Sequence, residues 1–125
     1  MHNLRQLKIW DHALELADEI YTTTECFPRS EMYVLSQQMQ RAAVSVGSNI
    51  AEGAGRNSKN EFIYFLGISN GSASELIFQL QLAFKRKYID EPTRERIREK
   101  LECQLKMNQN FRKHLNQSSP PPPPK

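Results

Sequence analysis

Cysteine, histidine and glycine are scarce in this chain: its 125 residues include two cysteines, three histidines and five glycines. Cys26 and Cys103 have no cysteine or histidine at metal-ligand spacing. That excludes a zinc finger or a disulfide framework, and the pair reads as reduced packing residues. His2, His12 and His114 are dispersed, and none stands four residues from a second ligand. A di-metal helical bundle needs Glu-x-x-His on two helices, a pattern missing here, so Glu52, Glu61 and Glu75 have no such partners. There is no Gly-Lys-Ser/Thr of a phosphate-binding loop. The chemistry-bearing residues therefore predict no catalytic site, no metal and no cofactor. Long apolar runs are missing too, and none approaches the ~18 residues a membrane helix requires. The opening MHNLRQLKIWDHALEL has neither an uninterrupted apolar core nor a small-residue cleavage site, so the expectation is a cytoplasmic chain without a signal peptide.

What remains is helical periodicity in a length suited to one domain. Residues 9–26 form the first expected helix, with Trp10, Ala13, Leu14, Ala17, Ile20 and Tyr21 at steps of three and four. Thr22-Thr23-Thr24 weakens its end, and Phe27-Pro28 breaks it. A second helix is expected from a cap near Ser30 to about Glu52, with Met32, Leu35, Met39, Ala42, Ala43, Val46 and Ile50 apolar. Gly47 inside it marks a kink or a close approach by another backbone. The third, Ser58 to Lys87, carries two apolar stripes. One contains Phe62, Phe65, Leu66, Ser69, Ala73, Leu76, Leu80 and Phe84, and the other Tyr64, Ile68, Phe78 and Leu82, with Gly71 and Glu75 in the same register. Two stripes imply a central position or a subunit interface. Pro92 opens a fourth helix, with Asp90 or Glu91 at its positive end and Ile97, Leu101, Leu105, Met107, Phe111 and Leu115 apolar. No strand signal competes. The fold class is all-α, an antiparallel up-down-up-down four-helix bundle over residues 1–117, followed by an extended, disordered proline-rich tail at 118–125.

The stretch RAAVSVGSNIAEGAGRNSKNEF, residues 41–62, joins the second and third helices. Arg41, Ser45, Asn49 and Glu52 make a polar line at helical spacing. One reading bonds this line to Ser72, Glu75 and Gln79 on the third helix, with a partly buried Arg41–Glu75 pair fixing register. The other makes it the lining of a groove or oligomer channel. Gly53-Ala54-Gly55 is expected to stop the helix, and Ser58 to Glu61 reads as a capping box. Together with Arg56 the glycines could also cradle an anion.

Charge is distributed unevenly. Residues 1–84 hold six Lys/Arg against nine Asp/Glu, residues 85–125 hold eleven against five, and the last 22 residues contain no acid. Lys85, Arg86, Lys87, Arg94, Arg98, Lys106, Arg112 and Lys113, with Arg96 and Lys100 among them, form a candidate nucleic-acid surface that would contact phosphates without reading sequence. Aromatic residues are not interleaved with these charges, which argues against a single-strand stacking platform. The competing reading is a solvated helix face that complements a helix C-terminus.

QMQRAAVSVGSNIAEGAGR and EFIYFLGISNGSASELIFQL resemble the bacterial four-helix-bundle family first noted as 23S rRNA intervening-sequence proteins. The resemblance is carried by Arg41-Ala42-Ala43, Ser45, Ser48 to Gly53, Arg56, Glu61-Phe62, Phe65-Leu66, Gly71-Ser72 and Glu75-Leu76, with Leu7 to Trp10 and Phe27-Pro28. Where that family often has proline, this chain has Gly47, so a fixed kink is not implied. The resemblance implies a homo-oligomer, commonly a ring-like pentamer, with no known catalytic activity. It also implies a link to nucleic acid, RNA or DNA. The alternative is an oligomeric scaffold for a protein partner.

Overall fold

The computed structural model describes residue 3 and residues 7–117, and its regular elements are helices throughout. The first, α1, spans Lys8–Thr24 and buries Ile9, Ala13, Leu16, Ile20 and Thr24. Its buried stripe is rotated from the one read from the periodicity, since Leu14 and Tyr21 are exposed. Both registers are apolar, so period alone does not choose between them. The register that buries Ile9 and Leu16 also turns His12 toward α4 (Glu91–Gln117), where it finds a partner.

After Phe27-Pro28 the chain makes only a short 3₁₀ turn, Arg29–Glu31, and α2 (Leu35–Ala54) begins later than the cap expected at Ser30. Val34 occupies the capping position without a side-chain bond. Tertiary contacts hold this segment out of the helix. The Phe27 ring lies 5.3 Å from that of Tyr88, and the Tyr88 hydroxyl donates to Glu31 at 2.8 Å.

The third helix, α3, spans Lys59–Lys85, 27 residues or about 40 Å at 1.5 Å per residue. Ser58 caps it by accepting from the Glu61 amide at 3.3 Å, as the capping-box spacing predicts. Asp90 caps α4 in the same way, its Oδ1 accepting from the Thr93 amide at 2.9 Å, with Pro92 in the first turn. Among the described residues there is no strand.

Along α2 and α3 residue numbers run in opposite senses. Gly53 meets Phe62, the Val46 carbonyl meets Ser69, and Ser45 meets Ser72. Phe62, Leu66, Leu76 and Leu80 of α3 fill the centre with Met39, Val46, Ile50, Ile97 and Leu101. Burying side chains of this size contributes roughly 1.5–3 kcal/mol each.

Gly53 has a different role from the one expected of it. α2 continues through it, and no glycine has a positive φ. A Cβ at Gly53 would stand 2.7 Å from Phe62 Cδ1 and 3.0 Å from Phe65 Cβ, so this glycine lets α3 come close. α2 runs unbroken across Gly47. The cysteines are not packing residues: Cys26 and Cys103 are both free and exposed. The proline-rich tail expected at 118–125 lies outside the described residues.

Candidate functional site

The polar line of α2 divides into three parts. In the middle, the Ser45 and Ser72 hydroxyls are 2.8 Å apart, and Asn49 Nδ2 donates to the Ser45 carbonyl at 2.8 Å and to its hydroxyl at 3.0 Å. At the C-terminal end, Arg56 pairs with Glu52 at 2.6 Å and with Glu61 at 3.2 Å, and lies 5.2 Å over the Phe65 ring. That commitment removes the cation from the Gly53-Ala54-Gly55-Arg56 anion reading. At the other end the expected Arg41–Glu75 pair is not formed. Arg41 is exposed and Glu75 instead accepts from Gln79 at 3.3 Å. The two face one open cleft of about 380 Å³, lined also by Gln38, Ser45 and Ser72. A second cleft of about 530 Å³, with Tyr21, Gln37 and Ser48, lies on the other flank of Arg41.

A different polar line runs through the core and joins all four helices. Gln104 Nε2 donates to the Ile9 carbonyl at 3.1 Å and to Asn108 Oδ1 at 3.0 Å. The amide oxygen therefore faces His12, and His12 Nδ1, at 2.6 Å, must carry the proton. Asn108 Nδ2 donates to Ser69 Oγ at 3.0 Å and to Asn70 Oδ1 at 2.9 Å, and Ser69 donates to the Val46 carbonyl at 2.8 Å. Gln104, Asn108 and Ser69 are wholly buried. Sequence reasoning passes over this chain, although a signal exists: Ile97, Leu101, Gln104, Asn108 and Leu115 share the buried register of α4. Two amides where apolar residues belong announce a buried network.

The basic residues do not form one surface. Arg98 is bound to Glu95 at 2.5 Å and to Glu102 at 2.8 Å. Arg96 reaches Glu19 at 2.7 Å, and Lys100 pairs with the same carboxylate. Burial raises the Glu19 pKa, but the hydrogen bonds from Lys100 and Arg96 outweigh it and hold the carboxyl below its ordinary value. Arg94 lies 4.5 Å over the Phe84 ring and donates to Gln81 at 3.2 Å, while Arg112 lies across Gly67 and donates to Gln109 at 3.2 Å. Arg94, Arg98 and Arg112 are half-buried, and Arg96 is exposed but committed to Glu19. Of the eight cations proposed, Lys85, Arg86, Lys87, Lys106 and Lys113 remain exposed with no side-chain partner among the described residues. The first three cluster where α3 turns into α4; Lys113 stands near the far end of α4, about 30 Å along its axis.

Two apolar faces lie on the outside. Tyr64, Ile68, Gly71, Glu75, Phe78 and Leu82 follow one another along the side of α3 opposite Phe62, Leu66, Ala73 and Leu80. Tyr64 is 64% and Phe78 70% exposed, so the second stripe of α3 is a surface and not a second core. The other face is a groove of about 260 Å³ between α1 and α2, walled by Trp10, Leu14 and Val44 and floored by Ala17, Gly47 and Ala51. The fold does not require glycine on either face. A Cβ at Gly71 would meet nothing within 4 Å, and one at Gly47 only Ala13 Cβ at 3.6 Å. Each glycine nevertheless costs its helix about 1 kcal/mol relative to alanine. Among the described residues no cluster of His, Cys, Asp and Glu could hold a metal ion.

A family model described as 23S rRNA-intervening sequence protein matches residues 5–110. A crystal structure from Bacteroides thetaiotaomicron, of a protein with unknown function from the S23 ribosomal protein family, superposes with a TM-score of 0.77 and 27% sequence identity. The match covers 84% of this chain and 95% of that one. No curated protein matches.

Proposed function

This chain belongs to the 23S rRNA-intervening sequence protein family, and we propose that it is a non-enzymatic subunit that assembles with copies of itself. The observation that carries this reading is the outward stripe of α3. Tyr64, Ile68, Phe78 and Leu82 put apolar surface into water on the side of the helix facing away from the core. Exposed apolar side chains gathered on one helix face, here interrupted by Gly71 and Glu75, mark interaction sites. The groove between α1 and α2 differs in shape from the stripe, one face being concave and the other convex. Contacts between unlike faces are heterologous and close into rings when the rotation permits. That agrees with the ring, commonly a pentamer, that the family resemblance implies.

Light scattering on the wild type and on a variant with both Ile68→Glu and Phe78→Glu tests the proposal. The expected result is a multiple of 14.5 kDa for the wild type and the single-chain mass for the variant, with unchanged helical circular dichroism. A monomeric wild type at every concentration would overturn it.

A second function, contact with nucleic acid, is supported by Lys85, Arg86 and Lys87, three consecutive cations that no carboxylate among the described residues pairs with. In an oligomer the cluster repeats in each subunit, so weak contacts add. The competing proposal is a scaffold for a protein partner. A wild type that binds no RNA or DNA even at low salt would favour the scaffold. The cytoplasm is the proposed location. No helix among the described residues is long and apolar enough to cross a membrane.

A further inference from the structure

The α3–α4 turn is closed by two backbone bonds, from the Tyr88 amide to the Ala83 carbonyl and from the Lys87 amide to the Phe84 carbonyl, both 2.9 Å. This pattern ends a helix with one residue in the left-handed region, a place usually taken by glycine because a Cβ there is strained. Here that residue is Lys87, at φ 65°, and it is the one non-glycine residue with positive φ among those described. The chain thus keeps a lysine where the backbone favours glycine, while Gly71 stands in a regular helix with open space around it. Lys85 and Arg86 are accounted for by the negative C-terminus of α3. A left-handed lysine is not, since glycine would seat this turn with less strain.

The surroundings point to what Lys87 serves. Asp90, the nearest acid in sequence, is engaged by Thr93 at the start of α4, and those hydrogen bonds hold its carboxyl below the ordinary range. Tyr88 is fixed between Phe27 and Glu31, which brings the Arg29–Val34 segment to the same end of the molecule. That segment adds Arg29, exposed and without a partner among the described residues, and Tyr33, 79% exposed. One end of the protein therefore presents four cations with no side-chain ion pair among the described residues, beside the carboxylates of Glu31 and Asp90 that accept from Tyr88 and Thr93, and a bare aromatic ring.

We infer that this end binds single-stranded nucleic acid, with Lys85, Arg86, Lys87 and Arg29 on phosphates and Tyr33 stacked on a base. The inference rests on the nucleic-acid reading above and narrows it to one site and one kind of strand. Duplexes offer phosphates to the cations, but their bases are stacked inside and give Tyr33 no face to cover.

Fluorescence anisotropy with labelled single-stranded oligouridine, titrated with salt, tests the assignment beside thermal melting. Lys87→Gly should raise the melting temperature by about 3–5 °C, as relief of left-handed strain in a domain of this size would. The same variant should bind more weakly, and its slope of log affinity against log salt should shrink by about 0.7, one phosphate contact. Tyr33→Ala should weaken binding about tenfold with the salt slope unchanged, because stacking releases no counterions. Lys113→Ala, at the far end of α4, should leave affinity within about twofold, its long-range field being screened. Wild-type affinity in both Lys87→Gly and Tyr33→Ala would overturn the site, as would an RNA duplex bound as tightly as the single strand. A wild type that binds neither at low salt would overturn the nucleic-acid reading itself.

Discussion

Two polar lines cross this molecule, and they differ in what they hold. The line on α2 (Arg41, Ser45, Asn49, Glu52) runs along the edge of the α2–α3 seam and is bonded across that seam only at Ser45. The line through the core (His12, Gln104, Asn108, Ser69) reaches every helix, and its amide hydrogens all find acceptors. Similar polar groups thus have different weight. In water's reach an unmade bond is replaced by solvent, whereas in the core it is not replaced. The inner line resists a change of register, because sliding α4 would part Gln104 from Ile9 and Asn108 from Ser69 and Asn70.

Removing the inner line's middle member separates the two lines most sharply. Asn108→Ala should cost about 3 kcal/mol in urea unfolding, by opening a cavity and orphaning a Gln104 hydrogen and the Ser69 oxygen. The variant with both Gln104→Leu and Asn108→Leu should be more stable than Asn108→Ala, since leucine fills the cavity and the unpaired Gln104 hydrogen is removed, while Ser69 and His12 still lose a partner. A loss below about 1 kcal/mol for Asn108→Ala would abolish the distinction between the lines.

On the outer line, Ser45→Ala should cost about 1 kcal/mol, because Ser72 and Asn49 keep access to water. A smaller effect sits between α1 and α4. The Glu19 pKa is lowered in the folded state, so its pairing contributes stability above the ordinary glutamate value of 4.5 and loses it as pH falls through the lowered folded value. Glu19→Gln should therefore be less stable than wild type at neutral pH by at most about 1 kcal/mol, with the gap closing in acid. Unfolding midpoints measured across that range decide it, and a gap that widens in acid would reverse the sign of the argument. Arg41→Ala should have the least effect, within about 0.5 kcal/mol, because Arg41 makes no pair. A larger loss would return it to the structural set.

Much of the architecture is legible from residue to residue. Pro28 and Pro92 punctuate the helices, Ser58 and Asp90 cap them, and the α3 and α4 stripes show the 3.6-residue period. The places where reading fails have a common cause. Leu14 and Leu16 are equally apolar, and α1 rotates to suit its neighbours. Ser30 has the chemistry of a cap, but Phe27 and Glu31 are held by Tyr88, 57 residues beyond Glu31. Gly53 is a reasonable helix stop until Phe62 and Phe65 come to lie against it. Among the basic residues, sequence separates Glu19 from Arg96 and Lys100 by most of the chain, so their neutralisation cannot be seen along it.

Helices, the places where they break and the family to which the protein belongs can all be read along the chain. Those properties follow from local sterics, hydrogen-bonding chemistry and a hydrophobic period that each segment carries alone. Packing chose which of two apolar stripes faces the core, which cations are held by carboxylates, and which polar line is buried. Such decisions depend on contacts between residues up to 95 positions apart, as with Gln104 and Ile9. Their energy appears only when water is excluded from between them.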